Sequence, residues 1–270
     1  MALSCKNIAR TIPYGGTTQM IGITLIALTI VVFLGLSIPL LIFEYFLGKR
    51  NPKARDYQSK KIISAVFRFM LWFSGVKVTV KGLENIPKDQ AVLFVGNHRS
   101  YFDILVGYTT VPEPVGFVAK KEMLRYPLLQ DWMKNIHCLF LDRVNMKEGL
   151  KTILKGIEEV KNGMSIWIFP EGTRNRNESI YDMLPFKEGS LKIAEKSGCL
   201  VVPVAQTGTA NVFEKHMPWV RSAHVTITFG TPINLKELPP EQKKFSGAYT
   251  QQVILGMLKE EIGDQDSTLY

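Results

Sequence analysis

Two histidine–aspartate pairs in the sequence share one spacing. His98 precedes Asp103 in the stretch GNHRSYFD, and His137 precedes Asp142 in the stretch HCLFLD. A carboxylate that binds one imidazole nitrogen orients the ring and leaves the other nitrogen free to act as a general base. Both pairs are therefore candidates for proton-transfer chemistry, and their surroundings must distinguish them.

The setting of each pair separates the two. His137 precedes an unbroken apolar run that is typical of a buried strand, and side chains five positions apart on a strand point to opposite faces. His98 follows the strand-like run AVLFV and precedes a helix-like segment, so a turn can bring residues 98 and 103 face to face. Ser100 could cap that helix, and Asp103 would also suit its first turn. His98 and Asp103 are therefore candidates for chemistry, with a hydrogen-bonded loop histidine beside a helix-start carboxylate as the alternative, and at His137 we expect only packing.

A third stretch, FPEGTR at residues 169–174, follows the strand-like run MSIWI. Gly172 would let the backbone approach a ligand closely, and the planar guanidinium of Arg174 suits a phosphate group. The plainer interpretation is a loop with solvated charges. In a parallel sheet, however, this strand end and His98 would lie at the same edge.

The elements that position these residues alternate from Val76 onward. Such alternation predicts an α/β domain with a mostly parallel sheet flanked by helices, at residues 76–270. The predicted strands are 76–80, 91–95, 116–119, 138–141, 164–169, 200–205 and 225–229. The predicted helices are 101–110, 122–136, 146–161, 188–197 and 251–262.

Residues 1–75 are predicted to anchor the protein in a membrane. The run from Met20 to Phe43 holds 24 residues without a charge, and as a helix it would be about 36 Å long, enough to cross the hydrocarbon layer. A second apolar segment, residues 57–75, carries three basic residues and a tryptophan, as interfacial helices do. Pro39 could kink the first helix, so the pair could either span the bilayer or dip into one leaflet.

The charge of the 270-residue chain is concentrated in this N-terminal part. The formal net charge is +9, of which residues 1–75 contribute +7. A basic border to a membrane helix explains this distribution better than a nucleic-acid surface does, and no nucleic-acid-binding motif is present. The basic residues after the apolar run outnumber Lys6 and Arg10 before it, which predicts a catalytic domain facing the cytoplasm.

The cysteines predict neither a disulfide framework nor a zinc site. Cys5, Cys138 and Cys199 form no Cys-x-x-Cys motif. No further His, Asp or Glu stands at ligand spacing near His98 and Asp103, so we expect no metal.

The segments NHRSYFD and FPEGTR together resemble the 1-acyl-glycerol-3-phosphate acyltransferases, a family of glycerophospholipid acyltransferases with an N-H-x4-D block. Four more segments resemble family blocks in the same order: FVAKKEMLRYP, FLDR, FKEGSLKIA and VVPVA, within residues 76–235. The sequence departs from the family pattern in one place. Leu-Leu-Gln-Asp follows Pro127, whereas family members often carry glycine two or three positions after this proline. The family fold is an α/β acyltransferase domain on an N-terminal pair of membrane helices.

The resemblance implies transfer of a fatty acyl group from a thioester to the free hydroxyl of lysophosphatidic acid, giving phosphatidic acid. It implies no cofactor, with acyl-CoA or acyl carrier protein bringing the acyl group and membrane lipids as partners. His98 would be the general base and Asp103 its orienting carboxylate. The acceptor would be bound by Glu171, Gly172, Thr173, Arg174, Lys120 and Arg143, and Asn97 or Gly172 would donate to the oxyanion. Another lysolipid acceptor, a membrane-bound metallohydrolase and a non-catalytic lipid-binding protein are the alternatives.

Overall fold

The computed structural model describes residues 10–13, 19–263 and 266–270. Lys6 and Cys5 lie outside these ranges. The eight strands are β1 (Arg10–Pro13), β2 (Lys77–Lys81), β3 (Leu93–Gly96), β4 (Val115–Lys120), β5 (Leu139–Leu141), β6 (Ser165–Ile168), β7 (Val201–Thr207) and β8 (His224–Phe229). The helices are α1 (Gln19–Arg50), α2 (Pro52–Phe73), α3 (Phe102–Thr110), α4 (Leu129–Asn135), α5 (Met146–Lys161), α6 (Lys192–Ser197), α7 (Pro240–Lys244) and α8 (Ser246–Ile262).

The strands form one mixed sheet in the order β1-β2-β8-β7-β3-β6-β4-β5. From β7 to β5 all neighbours are parallel, whereas β1–β2 and β7–β8 pair antiparallel. The predicted mostly parallel α/β sheet is therefore confirmed. The carboxyl ends of β3, β4, β5, β6 and β7 meet at one edge of this sheet, which we call the carboxyl edge.

Two hydrophobic clusters cover the two faces of the sheet. One joins the sheet to α1, α2, α3 and α4, through residues such as Ile26, Ile63, Val106 and Trp132. The other joins it to α5, α6 and α8, through residues such as Val160 and Ile254. The membrane-anchoring segment predicted at residues 1–75 therefore shares a core with the α/β domain, and its β1 extends the sheet.

The predicted helix at residues 122–136 is wrong as one element. The chain forms a 3₁₀ helix at Lys121–Arg125 and then α4 at Leu129–Asn135. Pro127 is the physical reason, because a proline disfavours helical dihedrals in the residue before it and supplies no backbone N–H. Leu128 then takes a positive φ of 62°.

Helix α1 has the length and composition to cross a membrane. Within Ile21–Arg50, the most apolar window of 18 residues has a mean hydropathy of 2.8, and only 11% of that window is buried. It continues through Pro39 and packs along α2, where Ser59 Oγ donates to Glu44 Oε2 at 3.0 Å. Because most of its apolar surface faces outward, α1 is suited to contact lipid.

Candidate active site

His98 lies in the turn between β3 and α3, at the carboxyl edge. Its Nδ1 is 2.8 Å from Asp103 Oδ2, and Asp103 is fully buried. The same oxygen accepts the backbone N–H groups of Arg99 and Ser100, each at 2.7 Å. Because Asp103 is a hydrogen-bond acceptor here, Nδ1 carries the proton and Nε2 is the basic nitrogen.

The environment of the ring leaves Nε2 accessible. No residue in the described ranges hydrogen-bonds to Nε2, and 14% of the His98 side-chain surface is exposed to solvent. The ring stacks on Phe169 with centroids 4.2 Å apart and an interplanar angle of 13°. The stacking and the Asp103 bond together fix the ring with its free nitrogen toward the carboxyl edge.

Glu171 fixes the backbone of His98. Its Oε1 accepts the His98 backbone N–H at 2.8 Å, and its Oε2 accepts the Leu184 N–H at 3.0 Å. Burial raises the pKa of Glu171, and these two N–H donors oppose that shift. Glu171 forms no hydrogen bond or ion pair with Arg174; its bond to His98 links the loop after β6 to the turn after β3.

Arg174 lies in the loop after β6, at the same edge, and contacts Tyr101. It donates to Glu214 Oε1 and to the Tyr101 hydroxyl, each at 3.0 Å, and its guanidinium lies 3.7 Å from the centre of the Tyr101 ring. Glu214 Oε1 also accepts the Tyr101 backbone N–H at 2.9 Å. Neither Glu214 nor Tyr101 was singled out from the sequence, because Glu214 lies in an irregular segment without a motif.

Gly172 closes a turn in the structure, a different role from the oxyanion donor that was expected from the sequence. Its N–H donates to Phe169 O at 3.0 Å, which closes the turn, and its φ of 74° favours glycine. A Cβ at this position would lie 2.8 Å from Lys187 Nζ. The glycine therefore makes room for the Lys187 ammonium beside the loop, and Thr173 is exposed to solvent.

Asn97 is likewise engaged elsewhere. Its Nδ2 donates to Gln206 O at 2.9 Å, and its Oδ1 accepts the Gln206 N–H at 2.8 Å. The residue is 2% exposed. The side chain clamps β3 to β7 below the active site, so the structure does not support Asn97 as an oxyanion donor.

Lys120 is the last residue of β4, and Arg143 follows β5, at the carboxyl edge. Lys120 is exposed and lies 3.4 Å from Glu122. Arg143 forms no ion pair with any residue of the described part of the chain. Both are farther along the sheet from His98 than Arg174, because β6 and β4 separate β3 from β5.

His137 and Asp142 do not form a pair. Asp142 accepts from Lys121 and from the backbone at Val144 and Asn145. His137 lies before β5 with a φ of 57°, and its Nδ1 is 2.8 Å from Glu159 on α5. The expectation that this pair is a coincidence is confirmed, although His137 precedes the strand instead of lying on it.

The partners of His137 make it an electrostatic link between α2 and α5. Its Nε2 lies 3.1 Å from Asp56 on α2. Burial lowers the pKa of His137, but the carboxylates of Asp56 and Glu159 outweigh that effect and raise the pKa to about 9. The protonated ring therefore joins α2 to α5, which packs on the opposite face of the sheet.

We expect a pH-dependent stability from His137. A pKa that is raised in the folded state gives stability that is present below pH 6.5, the ordinary value, and is lost as pH rises toward about 9. Thermal unfolding of the detergent-solubilised protein should show a midpoint that falls between pH 6.5 and 9. This decrease of the unfolding midpoint with pH should be smaller in His137→Ala and should persist in the control His216→Ala. An unchanged slope in His137→Ala would contradict this assignment.

No group of three His, Cys, Asp or Glu side chains in the described residues is arranged to hold a metal ion. The carboxyl edge offers an oriented imidazole beside a set of cations. A general base with a nearby anion-binding site suits transfer of a group to a hydroxyl of an anionic substrate.

Comparison with known proteins decides the family. A protein-family model described as Acyltransferase matches residues 77–207. A 1-acyl-sn-glycerol-3-phosphate acyltransferase of Borreliella burgdorferi is 33% identical over 183 residues, which cover 68% of this chain and 72% of that protein. The chain belongs to the 1-acyl-sn-glycerol-3-phosphate acyltransferase family.

Two further members of this acyltransferase family extend the likeness. A probable 1-acyl-sn-glycerol-3-phosphate acyltransferase of Mycoplasma pneumoniae is 32% identical over 224 residues, covering 74% of this chain and 82% of that protein. The crystal structure of a 1-acyl-sn-glycerophosphate acyltransferase from Thermotoga maritima superimposes with a TM-score of 0.74 at 26% identity. That likeness covers 92% of this chain and 98% of the Thermotoga chain.

Proposed function

We propose that this acyltransferase moves a fatty acyl group from a thioester to the free hydroxyl of 1-acyl-glycerol-3-phosphate, forming phosphatidic acid. The observation that carries the proposal is the 2.8 Å contact between His98 Nδ1 and buried Asp103, with Nε2 free at the carboxyl edge. The names of the relatives support the acceptor. The activated thioester needs neither a metal nor a covalent enzyme intermediate.

The reaction requires removal of a proton from an alcohol as it attacks. His98 Nε2 takes the hydroxyl proton while the hydroxyl oxygen bonds to the thioester carbonyl carbon. Asp103 holds the tautomer and stabilises the imidazolium that forms. The carbon–sulfur bond then breaks, and His98 returns the proton to the leaving thiolate. The lysolipid hydroxyl thus takes the place that serine has in a catalytic triad.

Arg174 is the proposed ligand of the acceptor phosphate. Its guanidinium is oriented by the Tyr101 ring and hydroxyl, and a bidentate contact to phosphate would compete with the bond to Glu214. Lys120 and Arg143 remain further candidates at the same edge. Lys187 joins this set because its ammonium lies beside Gly172. Thr173 is exposed in the same loop.

The proposed location is a membrane surface, with the α/β domain on the cytoplasmic side. Most of the apolar surface of α1 faces outward, and basic residues follow its end. The acceptor and the product are both lipids, so an enzyme anchored in the membrane meets them in the bilayer and need not encounter them in solution. A donor of either kind, acyl-CoA or acyl carrier protein, would arrive from the aqueous side.

Membrane attachment should survive high salt. Burial of the apolar face of α1 far outweighs the attraction of the basic residues, and salt weakens only the latter. The full-length protein should therefore stay in the membrane fraction after a high-salt wash and enter solution only with detergent. Its recovery in the salt supernatant would show that attachment is electrostatic.

The proposed reaction is tested by product identification. Purified protein in detergent is incubated with lysophosphatidic acid and with acyl-CoA or acyl carrier protein thioester, and the lipid product is identified by mass spectrometry. We expect phosphatidic acid, formed equally well in the presence of a chelator. Acylation of another lysolipid in preference would reassign the acceptor, and the lack of any thioester-dependent product would overturn the proposal.

A further inference from the structure

A cleft on the membrane-facing helices is separate from the acyl-transfer site. It lies between the end of α1, the start of α2 and α4, and has a volume of about 460 Å³. Helix α4 carries the chain from the carboxyl edge back to the start of β5, and Asn135 at its end lines the cleft. His98 lies at the other edge, after β3. A ligand in this cleft would therefore not be the substrate undergoing reaction.

The cleft holds charged groups of both signs. Lys49 and Arg55 line it from the helix pair, and Asp131 and Asn135 line it from α4. The Lys49 ammonium lies 4.5 Å from the centre of the Tyr45 ring and makes no ion pair within the described ranges. Gly48 leaves room for Arg55, since a Cβ there would lie 2.8 Å from Arg55 Cδ. The side-chain amide of Asn135 has no hydrogen-bond partner among the described residues.

An apolar groove of about 510 Å³ continues from this cleft along α1. Leu41 and Tyr45 line both, and Ile38, Ile42 and Phe46 form the outer wall of the groove. These three side chains are each more than half exposed in the protein alone. The combination of a polar cleft and an adjoining apolar groove matches a headgroup and an acyl chain.

Leu128 closes the groove at the cost of backbone strain. Its φ of 62° and ψ of −49°, with the Leu129 N–H donating to Pro127 O at 2.7 Å, describe a γ-turn that is rare for a side chain. The side chain lines the groove. Strain that persists at a cavity wall is typical of a ligand site.

We propose that this cleft and groove bind one membrane phospholipid with a phosphoethanolamine headgroup. The phosphate would lie against Lys49 and Arg55, and the ammonium would donate to Asp131 and to the Asn135 side-chain oxygen. A phosphoglycerol headgroup brings no cation that could join Lys134, which lies 3.6 Å from Asp131, in neutralising that carboxylate, and a phosphocholine has no N–H to donate. One acyl chain would lie along Ile38, Ile42 and Phe46. The bound lipid would tie α1 to α4 and so seat the helix pair on the domain.

The test is lipid retention by the full-length protein. The detergent-solubilised protein is exposed to equal amounts of dioleoyl phosphatidylethanolamine, phosphatidylglycerol and phosphatidylcholine, and native mass spectrometry counts the bound lipids after detergent exchange. We expect one retained phosphatidylethanolamine. Lys49→Gln should reduce retention on the order of tenfold or more, as loss of a charged hydrogen bond would. The control Lys53→Gln, which removes the same charge from an exposed position outside the cleft, should retain the lipid.

A second pair of variants tests the groove. Ile42→Ser places a hydroxyl in the groove wall, and Val31→Ser makes a similar change on an exposed part of α1 outside it. Only Ile42→Ser should lose the lipid. No retained lipid, a preference for phosphatidylglycerol, or equal loss in either matched pair would overturn the proposal. Because retention requires no turnover, these results are independent of the acyl-transfer assignment.

Discussion

His98→Ala is expected to lower kcat by about 10²–10⁴ while leaving the protein folded. In the proposed mechanism the free Nε2 takes the hydroxyl proton, and no other His of the described residues hydrogen-bonds to Asp103 as an equivalent base. The ring stacks on Phe169 at the surface end of the core, so its removal leaves a small, partly solvated space. The measurement is steady-state acyl transfer at saturating substrates, with a melting curve for each variant.

Two further variants test whether the loss of kcat is specific to the proposed base: Asp103→Asn and His137→Ala. Asp103→Asn should also impair turnover, because an amide neither stabilises the imidazolium nor accepts equally well from the backbone at residues 99 and 100. His137→Ala should shift the melting temperature more than the rate, since its partners are Asp56 and Glu159. Equal losses of kcat in His98→Ala and His137→Ala, at unchanged melting temperatures, would contradict the assignment of the base.

Arg174→Ala is expected to reduce kcat/KM for the acceptor by about ten- to a hundredfold. A charged hydrogen bond to phosphate contributes about 1.5–3 kcal/mol, and the donor thioester does not share it. The KM for the donor should therefore change little. The readout is a pair of saturation curves, one with the lysolipid varied and one with the thioester varied.

The neighbouring Arg176 supplies the control for this experiment. It is exposed and forms no ion pair with a described residue, so Arg176→Ala changes the net charge equally without removing the proposed ligand. Melting curves are again needed, because Arg174→Ala also leaves Glu214 without its arginine. A rise in donor KM with an unchanged acceptor KM would place Arg174 at the thioester site instead.

The sequence was sufficient to predict the local part of the site. His98 and Asp103 are separated by one turn, so the strand-to-helix pattern predicts that they can face each other, and the structure shows them in contact. The alternating pattern also predicts that residues 169–174 and His98 lie at the same edge of a parallel sheet, and the pairing of β3 with β6 in the structure places Glu171 beside this turn. Hydrophobic periodicity and turn residues predict this local structure because both depend on residues that are close together in the sequence.

The contacts that were missed are those between distant, irregular segments. Glu214 is 40 residues from Arg174 and lies where no periodic pattern exists. Asn97 was interpreted as an oxyanion donor because the sequence does not show that β7 lies beside β3 and engages the amide. The interruption at Leu128 was missed because the apolar spacing continues through Pro127, although the proline itself signals a break.

The central claim is direct transfer from the thioester to a lysolipid hydroxyl that His98 deprotonates. The most direct measurement is rapid mixing of stoichiometric enzyme with acyl thioester, first without and then with lysophosphatidic acid, following free thiol and lipid product together. With the unmodified protein we predict that no thiol is released until the acceptor is added, and that thiol and phosphatidic acid then form in equal amounts. With His98→Ala we predict that neither product forms on this time scale. A stoichiometric thiol burst without acceptor would reveal an acyl-enzyme and contradict the mechanism.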